Sequence, residues 1–221
     1  MEIDKKMAIL ISIDGLDGSG KGTQSELLAA RLNAEGKRAK VISFPMYGAE
    51  SCFAVEMYLG GALGGSPSDT NAYAASTFFA VDRYISYRKE WKKDTDEYDY
   101  IIFNRYVSAN AVHQLSKLPK EEWEQFLSWL WEYEFDKLTL PRPDMTLYLL
   151  VPPEVSLGLV DKRGEKKDIH ELDRDYMQKC FEAGQYAADR LGFVKIDCCE
   201  DGAIRTRESI ADEIYKKVME K

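Results

Sequence analysis

The stretch Gly15-Leu16-Asp17-Gly18-Ser19-Gly20-Lys21-Gly22-Thr23 is the densest concentration of chemistry-bearing residues in the chain. Its glycines let the backbone wrap a phosphate and turn N–H groups inward, and Lys21 offers a point charge to the outer phosphates. The pattern is close to G-x-x-x-x-G-K-[ST]. It departs in one place: Gly22 stands where the hydroxyl residue is expected, and Thr23 follows one position later. An apolar run precedes the loop and a helical pattern follows it, so a helix N-terminus adds its partial positive charge. This context predicts a nucleotide phosphate site formed by Gly15, Asp17, Gly18, Ser19, Gly20, Lys21, Gly22 and Thr23.

Other residues suit the rest of such a site. Phe79 and Arg83 are four apart and share one helix face, where a flat ring and a guanidinium can stack on a base and bond its edge. Arg105 follows a predicted strand, at the end where an open α/β sheet forms its binding crevice. Asp17 is an acid inside a phosphate loop, which repels phosphate unless the carboxylate points away toward a hydroxyl. The run 161–168 is densely charged and carries Arg163, Lys166 and Lys167. It reads either as a closing lid or as a solvated surface loop.

Five short apolar runs are expected to position these groups. Met7–Ile13, Ala39–Ser43, Tyr100–Phe103, Met145–Val151 and Phe193–Ile196 read as buried strands bounded by turn formers. Between them lie helical patterns. Leu27, Leu28 and Leu32 are expected on one buried face, with Gly36 as C-terminal cap, and Phe126, Leu127, Leu130 and Trp131 on another. Strand–helix alternation predicts an α/β three-layer sandwich with a parallel sheet of about five strands, of the P-loop NTPase type. The 221 residues read as a single domain over 1–221, with a lid segment at about 161–170, and Gly60–Asp69, with four glycines and a proline, as a loop.

Composition narrows the class. Apolar residues make up 45% of the chain, enough for a sizeable core. The net charge of −8 argues against a nucleic-acid partner, because duplex binding needs a basic face. Cys52, Cys180, Cys198 and Cys199 contain no Cys-x-x-Cys pair and read as reduced thiols, with packing the expected role of the last two. No run approaches the ~18 apolar residues of a membrane span. A soluble, cytoplasmic protein is expected. Of the two histidines, His113 reads either as a residue near a bound sugar or as a buried helix residue, and His170 as a surface residue. The tryptophans Trp123, Trp129 and Trp131 read as core or as dimer surface.

Taken together, Asp17 in the loop, Phe44-Pro45-Met46-Tyr47-Gly48, Phe79-Ala80-Val81-Asp82-Arg83 and Asn104-Arg105-Tyr106-Val107-Ser108-Ala109-Asn110 resemble the thymidylate kinases. The resemblance runs from about Met7 to the last helix. It implies transfer of the γ-phosphate of ATP to dTMP, with Mg2+ as cofactor, ATP and dTMP as ligands, and a homodimer. It implies catalytic roles for Lys21, Arg105 and Arg163, and an acceptor site of Asp17, Phe44, Phe79, Arg83, Arg105 and Asn110. Arg105 would clamp the acceptor phosphate, Asn110 would read the pyrimidine, and Asp17 would lie near the sugar 3′-hydroxyl.

Two positions depart from the family pattern. Met46 and Tyr47 stand where an arginine usually follows the Phe-Pro pair, and Asn104 replaces the aspartate before Arg105. Both lie on the phosphate and metal side, so base preference is expected to survive better than rate. Two alternatives stay open at this point: a kinase for another nucleoside monophosphate, and a nucleotide-binding protein with little catalysis.

Overall fold

Five strands of β-branched and aromatic residues form one parallel sheet in a computed structural model that describes residues 7–163, 170 and 173–220, without the side chains of 161–163. In chain order the elements are β1 (Ile9–Gly15), α1 (Lys21–Ala34), β2 (Ala39–Ser43), α2 (Phe53–Leu59), α3 (Ala72–Ser86), α4 (Asp94–Glu97) and β3 (Tyr100–Asn104). They continue with α5 (Val107–His113), α6 (Trp123–Trp131), β4 (Met145–Leu150), α7 (Pro153–Arg163), α8 (Arg174–Leu191) and β5 (Val194–Asp197). A two-stranded hairpin of β6 (Cys199–Glu200) and β7 (Ala203–Ile204) precedes α9 (Arg207–Met219).

The strand order is β2-β3-β1-β4-β5. The central strand, β1, pairs Ile13 with Asn104 of β3 and Gly15 with Leu149 of β4. This register places Ser43, Asn104 and Gly15 together at the C-terminal edge of the sheet. The chain leaves β1 and β3 there, on either side of the point where strand order reverses, which is where open α/β sheets bind ligands. Both faces of the sheet are covered. On one, Leu28 and Leu32 of α1 pack with Ile210, Ile214 and Val218 of α9 against Ile11, Ile13 and Leu147. On the other lies an aromatic-rich core that includes Trp91, Phe103, Tyr106, Trp123 and Phe126. The three-layer α/β architecture expected from the alternation is the one observed.

The differences are local. β1 begins at Ile9, leaving Met7 exposed, and runs on through Asp14 to Gly15, so the loop hangs directly from a hydrogen-bonded strand end. On α1 the buried face is Gln24, Ser25, Leu28, Ala29 and Leu32, while Leu27 points to solvent. Spacings of three and four define that face, and Leu27 falls outside it. Gly36 takes a left-handed φ of 80°, its N–H bonding the Asn33 carbonyl, and ends the helix as expected. Within the glycine-rich stretch after α2, Ser66 and Asp69 cap a short turn reciprocally. All four cysteines are free thiols, and Cys198 is fully buried in the core. Among the described residues, no helix is long and apolar enough to cross a membrane.

Candidate active site

The phosphate loop is shaped by what packs behind it. Gly18 has φ 79°, and a Cβ there would lie 2.6 Å from the Ser156 carbonyl and 2.8 Å from a Val160 methyl. The first turns of α7 therefore press on the back of the loop, and only glycine fits. Ser156 also donates its hydroxyl to the Asp17 carbonyl. Lys21, at the first position of α1, reaches back over the loop and donates to the Leu16 carbonyl at 2.5 Å. That conformation keeps the ammonium on the inner side of the loop, where outer phosphates of a nucleotide would lie. Beneath the loop Asp14 is buried and accepts from Ser12 and Ser108, fixing the start of α5 to β1.

Asp17, Arg105 and His113 meet at the mouth of the crevice. The Arg105 guanidinium pairs with the Asp17 carboxylate and donates to His113 Nε2 at 3.1 Å. Arg105 itself has φ 68°, a left-handed conformation that costs a non-glycine residue about 1–3 kcal/mol and tends to persist at functional sites. Its backbone N–H is held by the Ile13 carbonyl at 3.1 Å, which locks the turn. Burial alone would raise the Asp17 carboxyl, but the nearby Arg105 guanidinium and Lys21 hold it well below the ordinary carboxylate range. Burial pushes the His113 imidazole down to about 3. It is therefore neutral, and because Nε2 accepts from Arg105 its proton sits on Nδ1, which faces the Cys180 sulfur at 3.7 Å.

A second cluster lies deeper. Arg83 makes a two-pronged ion pair with Glu134, Nε to Oε2 at 2.7 Å and Nη2 to Oε1 at 2.6 Å, and also donates to the Tyr106 carbonyl. Asn110 donates to the same Glu134 Oε1 at 3.2 Å and to the Ser76 carbonyl at 3.3 Å. The two residues expected to read the base are thus brought together, joined through an acid that sequence reasoning missed. Leu127, Leu130 and Glu134 follow helical spacing, so a lone acid on a buried stripe was the available signal. Phe79 is half-buried on α3, edge-on to Tyr58 with ring centres 6.1 Å apart.

Phe44 is a correction. Expected at the acceptor, its ring is 4% exposed and packs among Trp91, Phe103 and Tyr106, so it anchors the loop from the core side. That loop is further held by Asp82, which accepts from the Met46 N–H at 2.9 Å and the Ser51 hydroxyl at 2.6 Å. His170 is the other correction. It is buried at 4% exposure, with its ring parallel to that of His113 and 5.3 Å away. A charged stretch of sequence suggested surface, but the residue turns inward to Tyr58. The lid expected over 161–170 otherwise lies outside the described residues, including the Arg163 side chain, Lys166 and Lys167.

A family model for thymidylate kinase matches residues 13–198. The chain belongs to the thymidylate kinase family. Thymidylate kinase from Mycobacterium tuberculosis is 31% identical over 178 residues, covering 77% of this chain and 81% of the relative. A probable thymidylate kinase from Methanosarcina barkeri is 28% identical over 211 residues, covering 96% of each. The solved thymidylate kinase of Candida albicans superposes with a TM-score of 0.70 at 19% identity, over 97% of this chain and 92% of that one, and shares the fold.

Two of the positions that depart from the expected motifs, Gly22 and Asn104, are neighbours. Asn104 donates to the Ser43 hydroxyl at 3.1 Å on the exposed edge of the sheet. A Cβ on Gly22 would meet only the Asn104 amide, at 3.5 Å. The positions that lack a carboxylate and a hydroxyl therefore face one another across the N-terminus of α1. Among the described residues no group of three or more histidines, cysteines or acids has metal-binding geometry. At this edge Asn104 offers a neutral amide rather than a carboxylate, which fits a hard cation only if water and phosphate supply most of its ligands.

Proposed function

We propose that the protein transfers the γ-phosphate of ATP to dTMP, giving ADP and dTDP. The observation that carries this reading is the juxtaposition, at one sheet edge, of the glycine loop with Lys21 and the Asp17–Arg105–His113 cluster. Family membership supports the acceptor. Gly15, Asp17, Gly18, Ser19, Gly20, Lys21, Gly22 and Thr23 would hold the triphosphate by backbone N–H groups and the ammonium. Arg105 would exchange Asp17 for the acceptor phosphate, leaving Asp17 to take the sugar hydroxyl. Phe79 would stack on the base, with Asn110 at its edge, while Arg83, buried and paired with Glu134, would hold Asn110 in place.

An acceptor phosphate oxygen bonds to the γ-phosphorus as the bond from that phosphorus to the β–γ bridging oxygen breaks, and ADP leaves. The protein forms no covalent intermediate, so catalysis is alignment and charge neutralisation. Mg2+, entering with ATP, supplies charge neutralisation on the phosphates. Arg163 is a candidate for a further cation on the transferring group. The homodimer has a candidate face in Val81 and Tyr84, exposed three apart on α3.

The test is ADP formation from Mg-ATP with each nucleoside monophosphate in turn, against an acceptor-free control. Turnover restricted to dTMP is expected, and turnover only with another monophosphate would reassign the acceptor. Met46 and Asn104 favour a second reading, a nucleotide-binding protein with little catalysis. ATP binding without acceptor-dependent ADP would select that reading and end the first. Introducing Met46→Arg and Asn104→Asp together then separates a weakened kinase, which gains turnover, from a protein with no transfer to restore.

A further inference from the structure

Beside the Asp17–Arg105–His113 cluster runs a second line of buried polar groups that phosphate transfer does not use. Lys117, in the turn after α5, donates its amine to the Tyr58 hydroxyl at 2.8 Å and to the Thr70 carbonyl at 3.0 Å. Tyr58, 1% exposed on α2, lies 2.7 Å from His170 Nε2. Because the lysine donates to the phenol oxygen, the phenol proton is available to the imidazole, which accepts at Nε2. His170 then stacks on His113, and the Tyr176 ring of α8 packs against both imidazoles, 4.9 Å from His170 and 6.4 Å from His113. The same Tyr58 ring abuts Phe79 edge-on and Phe78 at 6.3 Å.

Tyr58 therefore touches both ends of the crevice. One edge meets the ring expected to stack on the base, and the hydroxyl meets the imidazole that backs His113 and, through it, Arg105. Burying an amine is costly, and burial here pushes Lys117 down to about 7. A methionine would fill such a space without that cost. The amine faces Tyr58 from α2, the Thr70 carbonyl, Cys180 from α8, and the two imidazoles.

We propose that Lys117 and Tyr58 are positioning residues of the acceptor site: together they fix His170 against His113 and Phe79 at its edge-on angle, setting the wall along which the deoxynucleoside lies. This rests on the dTMP kinase reading above and adds to it two residues that touch neither the phosphates nor the base edge.

Lys117→Met and Tyr58→Phe keep the volume; both remove the Lys117–Tyr58 bond, the first also that to the Thr70 carbonyl and the second that to His170. Each is expected to raise the KM for dTMP about 3–10-fold, the scale of one lost buried hydrogen bond, while the KM for ATP stays unchanged. The double variant is expected to be no worse than the poorer single one, because both act on one imidazole. Calorimetric titration of dTMP is expected to show the same loss of affinity without turnover. A fall in melting temperature with both KM values unchanged would overturn the proposal, as would additive effects in the double variant. Wild-type protein that neither binds nor phosphorylates dTMP would instead overturn the parent reading, and this one with it.

Discussion

Two ion-paired arginines lie on the same side of the sheet and are built for different ends. Arg83 is sealed: its side chain and that of Glu134 are 2% and 0% exposed, and both bonds between them are short, 2.7 and 2.6 Å. Arg105 is open: its side chain is 20% exposed, its backbone is left-handed, and its carboxylate partner sits in a phosphate loop. A bidentate pair inside the core fixes the relation of α3 to the segment after α6 and of both to Asn110. A pair at the mouth, with a strained backbone and a neutral imidazole alongside, is one whose partner can be exchanged for a phosphate. The sealed pair serves geometry and the open pair serves turnover.

Breaking the sealed pair is expected to have the largest effect. Glu134→Gln leaves a buried guanidinium without its counter-charge, and such a loss costs about 3–5 kcal/mol. Chemical denaturation is the measurement. Asn110 also loses a charged acceptor, so dTMP affinity is expected to fall with stability. A variant as stable as wild type would show that Arg83 finds another partner and that the pair does not organise this side of the site.

Breaking the open pair is expected to act on catalysis first. Arg105→Met removes charge-assisted hydrogen bonds to the acceptor phosphate, each worth about 1.5–3 kcal/mol, so kcat/KM for dTMP should fall about 10–150-fold. The stability change is expected to be smaller than for Glu134→Gln, since Lys21 still acts on the Asp17 carboxylate and Arg105 itself is partly exposed. If stability falls as far as for Glu134→Gln while kcat/KM holds, the roles of the two arginines are the reverse of those argued here.

Acid separates the two regions in another way. Burial depresses both imidazoles beside the open pair, His113 to about 3 and His170 well below its ordinary value. Between an unfolded value of about 6.5 and the folded one, the unfolded chain takes up protons that the folded chain refuses. Stability therefore falls as pH drops below about 6.5, by about 2 kcal/mol at pH 5 from His113, with His170 adding to the fall. Asp17, also held low, loses stability in the same direction but in a lower window: its contribution persists at pH 5 and is lost only below the ordinary carboxylate range. Urea unfolding at pH 7 and pH 5 measures the loss, and His170→Phe is expected to remove part of it. An equal loss in the variant would place the acid sensitivity elsewhere.

The open region was largely legible in the sequence and the sealed one was not, for a physical reason. Gly15 to Thr23 act as a local unit, in which glycine freedom, the lysine and the helix start are read from adjacent positions. The parallel strands were legible because strands buried on both faces leave continuous apolar runs, and Ala39–Ser43 is found with the expected bounds. Glu134 lies 51 residues from Arg83, and only the packing of α3 against the segment after α6 brings them together. Local charge misled at His170, whose neighbours are charged although its own ring is enclosed by Tyr58, His113 and Tyr176. Phe44 shows the converse error, since a motif residue can matter by anchoring a loop from the core.

The smallest expected effect sharpens the comparison from the donor side. Asn104 sits at the exposed sheet edge, so Asn104→Asp should change stability by less than about 1 kcal/mol, as surface substitutions do. Its new carboxylate would face the N-terminus of α1 across the space that Gly22 leaves open, where a helix start favours negative charge. A charge there can bind the water shell of a cation carried by ATP, which the neutral amide does weakly. Turnover at limiting Mg2+ is expected to rise roughly 3–10-fold, on the scale of one added hydrogen bond, and the Mg2+ concentration giving half-maximal rate should fall with it. A magnesium titration of both proteins decides this. Coincident curves would mean that charge at this edge does not limit the rate, and any shortfall would then lie with Met46, in the loop held by Asp82.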